Sequence, residues 1–76
     1  MAARGDLEEW VLGAVRDRGG EATVLEVAKA IWNKHEGELR SSGDLFYTWQ
    51  HDMRWAADRL RKAGRLTLSE RKWVLA

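Results

Sequence analysis

Residues 45–64 read LFYTWQHDMRWAADRLRKAG. Placed on a helix at about 100° per residue, Leu45, Phe46, Trp49, Met53, Ala56, Leu60 and Ala63 fall within one arc of about 100°. His51, Arg54, Asp58 and Lys62 fall on the opposite side, with Tyr47 and Arg61 near them. The run contains no Gly or Pro before Gly64, which stands where a helix C-cap belongs. The spacing predicts a helix over 45–63. The rest of the chain must then supply surfaces for its apolar stripe.

Beyond Gly64 the period changes. Arg65 to Leu68 and Lys72 to Ala76 are short β-prone runs, and Ser69 to Lys72 between them is a polar tip of hairpin length. This predicts a β-hairpin over 65–76. Upstream, Asp6 is positioned to cap a first helix at 7–18, with Glu9 three residues on as in a capping box. Leu7, Trp10, Val11, Ala14 and Val15 form its stripe, and Gly19-Gly20 stops it. Glu21 to Thr23 reads as a very short strand. Thr23 and Glu26 form a second capping box, opening a helix at 24–36 whose apolar face holds Val24, Val27, Ala28, Ile31 and Trp32, with His35 on the same side. Gly37 ends it. In the loop that follows, Ser42 or Asp44 is the expected cap of the third helix.

The order is helix, short strand, helix, helix, strand, turn, strand. The expected fold is therefore α+β, mostly α: a winged helix-turn-helix of three helices plus a small C-terminal β-hairpin wing, with the 21–23 strand joining the hairpin in one sheet. A three-helix bundle with an incidental C-terminal extension is the competing arrangement.

Seventy-six residues form one domain near the lower limit for an unaided core. With no cysteine, no disulfide or thiolate metal site can reinforce it. Five tryptophans compensate, since each can bury on the order of 200 Å². No apolar run approaches the roughly 20 residues that span a bilayer. The start lacks the apolar core of a signal peptide, so a cytoplasmic protein with no membrane role is expected. Net charge is only +1, but it is unevenly placed. Residues 1–39 hold five Lys/Arg against eight Asp/Glu, and residues 40–76 hold eight against four. A basic C-terminal half points to a polyanionic partner.

No catalytic constellation stands out. His51 and Asp52 are sequence neighbours and point apart on a helix, and His35 belongs to an apolar face. Three or four converging metal ligands cannot be assembled. Gly19-Gly20 lacks the further glycines and the lysine of a phosphate loop. A non-enzymatic protein without a cofactor is expected, acting by surface recognition. In a winged helix the third helix offers its outward face to the major groove. Here that face offers Tyr47, Thr48, Gln50, His51 and Arg54. Arg can grip guanine, Gln adenine, and Thr a thymine methyl or a phosphate. Arg40, Ser41 and Ser42 are expected to hold phosphate at the positive end of the third helix. Arg71 and Lys72 at the hairpin tip, with Arg65 at its base, are expected to touch the backbone. Asp52 and Asp58 count against such a surface. The alternative is a winged-helix protein–protein interaction module. No spare helix remains for a dimer interface, so a monomer or a weak homodimer is expected. Trp55 lies off the stripe and is expected to be buried against the first helix or the sheet, the alternative being an exposed aromatic that marks a contact site.

The residues just described carry a family resemblance. Gly19 to Val24, Met53-Arg54-Trp55-Ala56 followed by Leu60 to Gly64, and Arg65-Leu66 to Leu75 resemble the N-terminal winged-helix domain of Mrr-type restriction endonucleases and related small bacterial proteins. The resemblance covers most of residues 10–76. It implies a double-stranded DNA-recognition module and supports burial of Trp55. It does not imply nuclease activity, which belongs to a separate catalytic domain in that family. What it leaves open for this chain is a small transcriptional regulator, an accessory subunit or a fragment of a longer protein.

Overall fold

The computed structural model describes residues 2–76. In chain order the elements are α1 (Asp6–Asp17), β1 (Glu21–Thr23), α2 (Val24–Arg40), α3 (Leu45–Lys62), β2 (Leu66–Ser69) and β3 (Lys72–Leu75). β3 lies in the middle of one antiparallel sheet, ordered β1-β3-β2. Ala22 sits opposite Trp73 on one side, and Leu68 opposite Trp73 on the other. The hairpin is therefore tied to the start of α2 and is not an incidental extension. This three-helix, three-strand α+β layout is winged-helix-like.

The core forms where the helical stripes meet the inner face of the sheet. Leu7, Val11 and Val15 of α1, Val27 and Ile31 of α2, and Met53, Ala56 and Leu60 of α3 are essentially sealed from solvent, with Ala22, Leu66 and Trp73 beneath them. Two of the chain's reversals use glycine at positive φ. Gly64 (φ 77°) follows α3, where the Arg65 N–H reaches back to the Leu60 carbonyl and the Gly64 N–H to that of Arg61. Gly19 (φ 86°) follows α1 in the same way, with the Gly20 N–H on Val15 and its own on Arg16. Both are Schellman closures, and the left-handed residue they need is cheapest as glycine.

The Thr23 capping box is complete. The Glu26 N–H donates to Thr23 Oγ1 at 3.1 Å, and the Thr23 N–H donates to Glu26 Oε1 at 2.8 Å. Three expectations need correction. Asp6 is the first residue of α1 and not its cap, a place taken by Gly5; its carboxylate instead accepts the Ala3 N–H at 2.9 Å. Neither Ser42 nor Asp44 caps α3 with its side chain. Asp44 takes the position with no side-chain bond, and the first amides of α3 turn back onto the carbonyls of Ser42, Gly43 and Asp44.

Third, α2 does not end at Gly37. It breaks from helical geometry at His35 (φ −122°, ψ 17°) and resumes to Arg40. Burial of Leu39 and the Arg40–Glu36 ion pair at 2.8 Å hold that last stretch, offsetting the roughly 1 kcal/mol cost of a helical glycine. At the kink, the His35 ring lies flat on Trp10, centroids 3.8 Å apart, with Nδ1 3.1 Å from Glu38. Among the described residues no helix is long and apolar enough to cross a membrane.

Candidate nucleic-acid interface

The polar face of α3 is decided by which of its side chains are already engaged. Asp52 is largely covered. It accepts the Thr48 hydroxyl at 2.8 Å, meets Arg4 Nε at 3.5 Å, and has His51 Nδ1 at 3.6 Å. Asp58 holds Lys62 at 3.1 Å and Arg61 at 3.7 Å. Both acids that stood against a polyanion surface are thus neutralised by neighbours. Thr48, offered from sequence as a DNA contact, has its hydroxyl proton committed to Asp52.

Tyr47, Gln50 and Arg54 remain. All three are exposed, Tyr47 at 83%, and none has a hydrogen-bonding or ionic side-chain partner among the described residues. With His51 they occupy one arc of α3. Only the ring of Tyr47 is supported, edge-on to Phe46 at 5.1 Å. Arg and Gln are the side chains best suited to bidentate contact with base edges.

The wing joins this face through strand register. Thr23, the residue that caps α2, pairs with Lys72, which also pairs with Ser69. The two-residue tip Glu70-Arg71 therefore lies just beyond the start of α2. Val24 and Leu25 at that start line a cleft with Gln50, His51 and Arg54. Tip, α2 start and α3 face share one side of the molecule. Both tip residues adopt positive φ, 51° for Glu70 and 68° for Arg71, as a type I′ turn requires. Neither is glycine, so the tip holds two strained residues outward.

Several sequence-predicted contacts are placed otherwise. Ser42 is buried. Its Oγ accepts the Ala2 N–H at 2.9 Å and donates to the Glu38 carbonyl, so it pins the N-terminal segment and does not face a phosphate. Ser41 Oγ lies within bonding distance of the Gly37 and Glu38 carbonyls. Arg40 is paired with Glu36 and lies over the rings of Trp32 and Phe46, at 5.3 and 5.8 Å. The expected phosphate cradle of Arg40, Ser41 and Ser42 is therefore not assembled. Lys72 is the first residue of β3 and not a tip residue, with Nζ 3.5 Å from Glu21. Arg65 is exposed at the base of the hairpin, as expected, about 13 Å along the strand from the tip. Trp55 is half-buried against the core, between the guanidinium groups of Arg4 at 3.8 Å and Arg59 at 5.2 Å.

The structure adds residues that the sequence reading passed over. Leu25, Lys29 and Asn33 of α2 border α3 across a cleft of about 590 Å³. The signal was available: they recur every fourth residue from the capping box onward, on the side of α2 turned from its core stripe. No acid lines this cleft or its extension toward Arg54. The groove between α1 and α2, by contrast, is lined by Glu9 and Asp17 along with Lys34. The chain is polarised, with α1 as its acidic side.

One titratable group is clearly displaced. Glu26 is held below the usual glutamate value, chiefly by the Thr23 backbone N–H and secondarily by Arg18, whose Nη2 lies 2.6 Å away; partial desolvation opposes both. No cluster of three or more His, Asp or Glu among the described residues is placed to hold a metal ion.

Comparison of the chain with protein families, curated proteins and solved structures returns no match. The functional reading rests on the geometry above.

Proposed function

We propose that the chain binds double-stranded DNA without catalysing a reaction, with α3 in the major groove and the Glu70-Arg71 tip against the backbone. The observation that carries this reading is the state of α3's outward face. Its acids are internally neutralised, while Gln50 and Arg54 are left as unpaired donors. Lys29 from α2 and Arg71 from the tip flank them on the same side as phosphate contacts. A monomer or weak dimer is the expected binding state, since the apolar stripe of α1 and most of that of α3 are used in the chain's own core. A regulator or accessory subunit acting in the cytoplasm fits this role, and the motif resemblance to Mrr-type N-terminal domains supports the same expectation.

The test begins with selection of a preferred site from a random duplex pool, followed by anisotropy titrations across a salt series. Arg54→Ala is expected to weaken the selected site by about 1–3 kcal/mol while sparing unrelated duplexes. Arg71→Ala is expected to weaken all duplexes alike and to reduce the salt slope by about 1. Equal, salt-insensitive behaviour of the two variants overturns these roles.

A further inference from the structure

The cleft between α2 and α3 is more apolar than a DNA interface needs. Leu25 is 63% exposed at its edge. Trp32 and Phe46 are partly buried, with an edge of each reaching the cleft; their centroids are 6.3 Å apart, and Trp32 stacks on the buried Trp49 at 6.0 Å. Base edges in the major groove present one apolar group, the thymine methyl. An open aliphatic and aromatic floor is instead the mark of a site for apolar side chains of a protein.

The border of the cleft is cationic. Lys29 and Arg54 are exposed and unpaired among the described residues, while Arg40, over the aromatic rings at one end, has its charge already met by Glu36. No acid lines it. Along α2 the cleft runs from Val24 to Asn33, about 14 Å, which matches the two to three turns over which a helix sets anchors at i, i+4 and i+7. A second copy of this chain does not supply such a helix: α1, its most acidic one, has Leu7, Val11 and Val15 fully buried.

We propose that this cleft docks an amphipathic helix of a partner protein, apolar on its inward face and acidic along its flanks. The proposal goes beyond DNA binding and stands without it. Because the cleft shares Gln50 and Arg54 with the α3 face, a seated helix covers part of the proposed DNA surface, and the two ligands compete.

The experiment pans a display library of helical peptides against the full chain, and then measures selected peptides by anisotropy and tryptophan emission. Leu25→Glu and Lys29→Glu are the test variants, since both side chains are exposed and neither change disturbs the core; Lys29→Glu is expected to weaken duplex binding as well, so the duplex comparison is made on the wild-type chain. The expected result is enrichment of peptides with Leu, Phe or Trp at i, i+4 and i+7 flanked by Asp and Glu. Each variant is expected to weaken their binding about tenfold or more, the loss typical of a hot-spot residue. Failure to enrich any peptide, enrichment of basic or non-amphipathic ones, or binding by both variants as tight as by wild type overturns the proposal. Duplex binding measured on the wild-type chain separates the two readings. Peptide binding without duplex binding upholds the cleft and counts against DNA. Duplex binding without peptide binding does the reverse.

Discussion

Asp58→Asn tests the electrostatic logic of α3 from the opposite direction to an arginine deletion, because it is expected to improve DNA binding. Asp58 lies one turn beyond Arg54 and holds two cations, Lys62 at 3.1 Å and Arg61 at 3.7 Å. The substitution removes a negative charge from the proposed interface and releases both. The logarithm of affinity falls with the logarithm of salt by about 0.9 per phosphate neutralised, so one new contact steepens the slope by about 0.9 and two by about 1.8. Between about 50 and 200 mM salt, each added contact brings a further loss of about 3.5-fold, and tighter binding at the low-salt end. The cost to the fold is small: exposed helical ion pairs of this spacing are worth about 0.3–0.5 kcal/mol, and removal of an acid from the last turns of a helix relieves an unfavourable dipole interaction. The assay is an anisotropy titration of a labelled duplex over a salt series, with circular dichroism to confirm the fold. Tighter low-salt binding with a steeper slope is expected. Unchanged slope and affinity, or weaker binding, refutes the placement of this face on DNA.

Three further outcomes follow from the structure. Thr23→Ala removes the acceptor for the Glu26 N–H and is expected to cost about 1 kcal/mol, lowering the thermal midpoint by about 4–8 °C in a domain of this size; an unchanged midpoint in a melting scan contradicts the capping box. Glu26 titrates below its usual value when folded, so its contribution is fully present above the unfolded-state value and is lost as pH falls through the folded one. Urea melts from neutral to acid pH are therefore expected to show a shallower acid decline for Glu26→Gln than for wild type. Arg71→Gly relieves a left-handed non-glycine residue (φ 68°) and is expected to stabilise by about 1 kcal/mol while weakening duplex binding; stability and binding moving in the same direction contradicts the assignment of this tip.

What the sequence made legible was local. The α3 stripe, the Thr23–Glu26 box and the glycine closures after α1 and α3 depend on local spacing, and the structure builds them as expected, except that Ala63 is exposed just past the end of α3 and Ala57 is buried beside the stripe. The strand at 21–23 was legible from its bounds, paired glycines before it and a cap at its end, and not from propensity, since Glu and Ala are poor strand formers; pairing with β3 makes it. What escaped depends on distant partners. Asp52 reads as an exposed acid until Arg4, 48 positions earlier, is seen against it. Ser42 reads as a polar loop residue until the Ala2 amide, 40 positions away, is seen on its hydroxyl. Gly37 reads as a terminator because its own propensity is poor, yet burial of Leu39 carries the helix past it. Lys29 and Leu25 matter only because α2 lies beside α3, a juxtaposition that no local pattern encodes.

The most direct measurement is an amide-shift NMR titration of labelled protein with a mixed-sequence duplex at low and moderate salt. The account predicts shifts at Tyr47, Gln50, His51 and Arg54, at Leu25 and Lys29, and at Glu70-Arg71, all fading steeply as salt rises. The amides of Glu9 and Asp17 on the acidic α1 side are expected to stay in place. Absence of shifts at low salt, or shifts centred on α1, contradicts the DNA-binding reading.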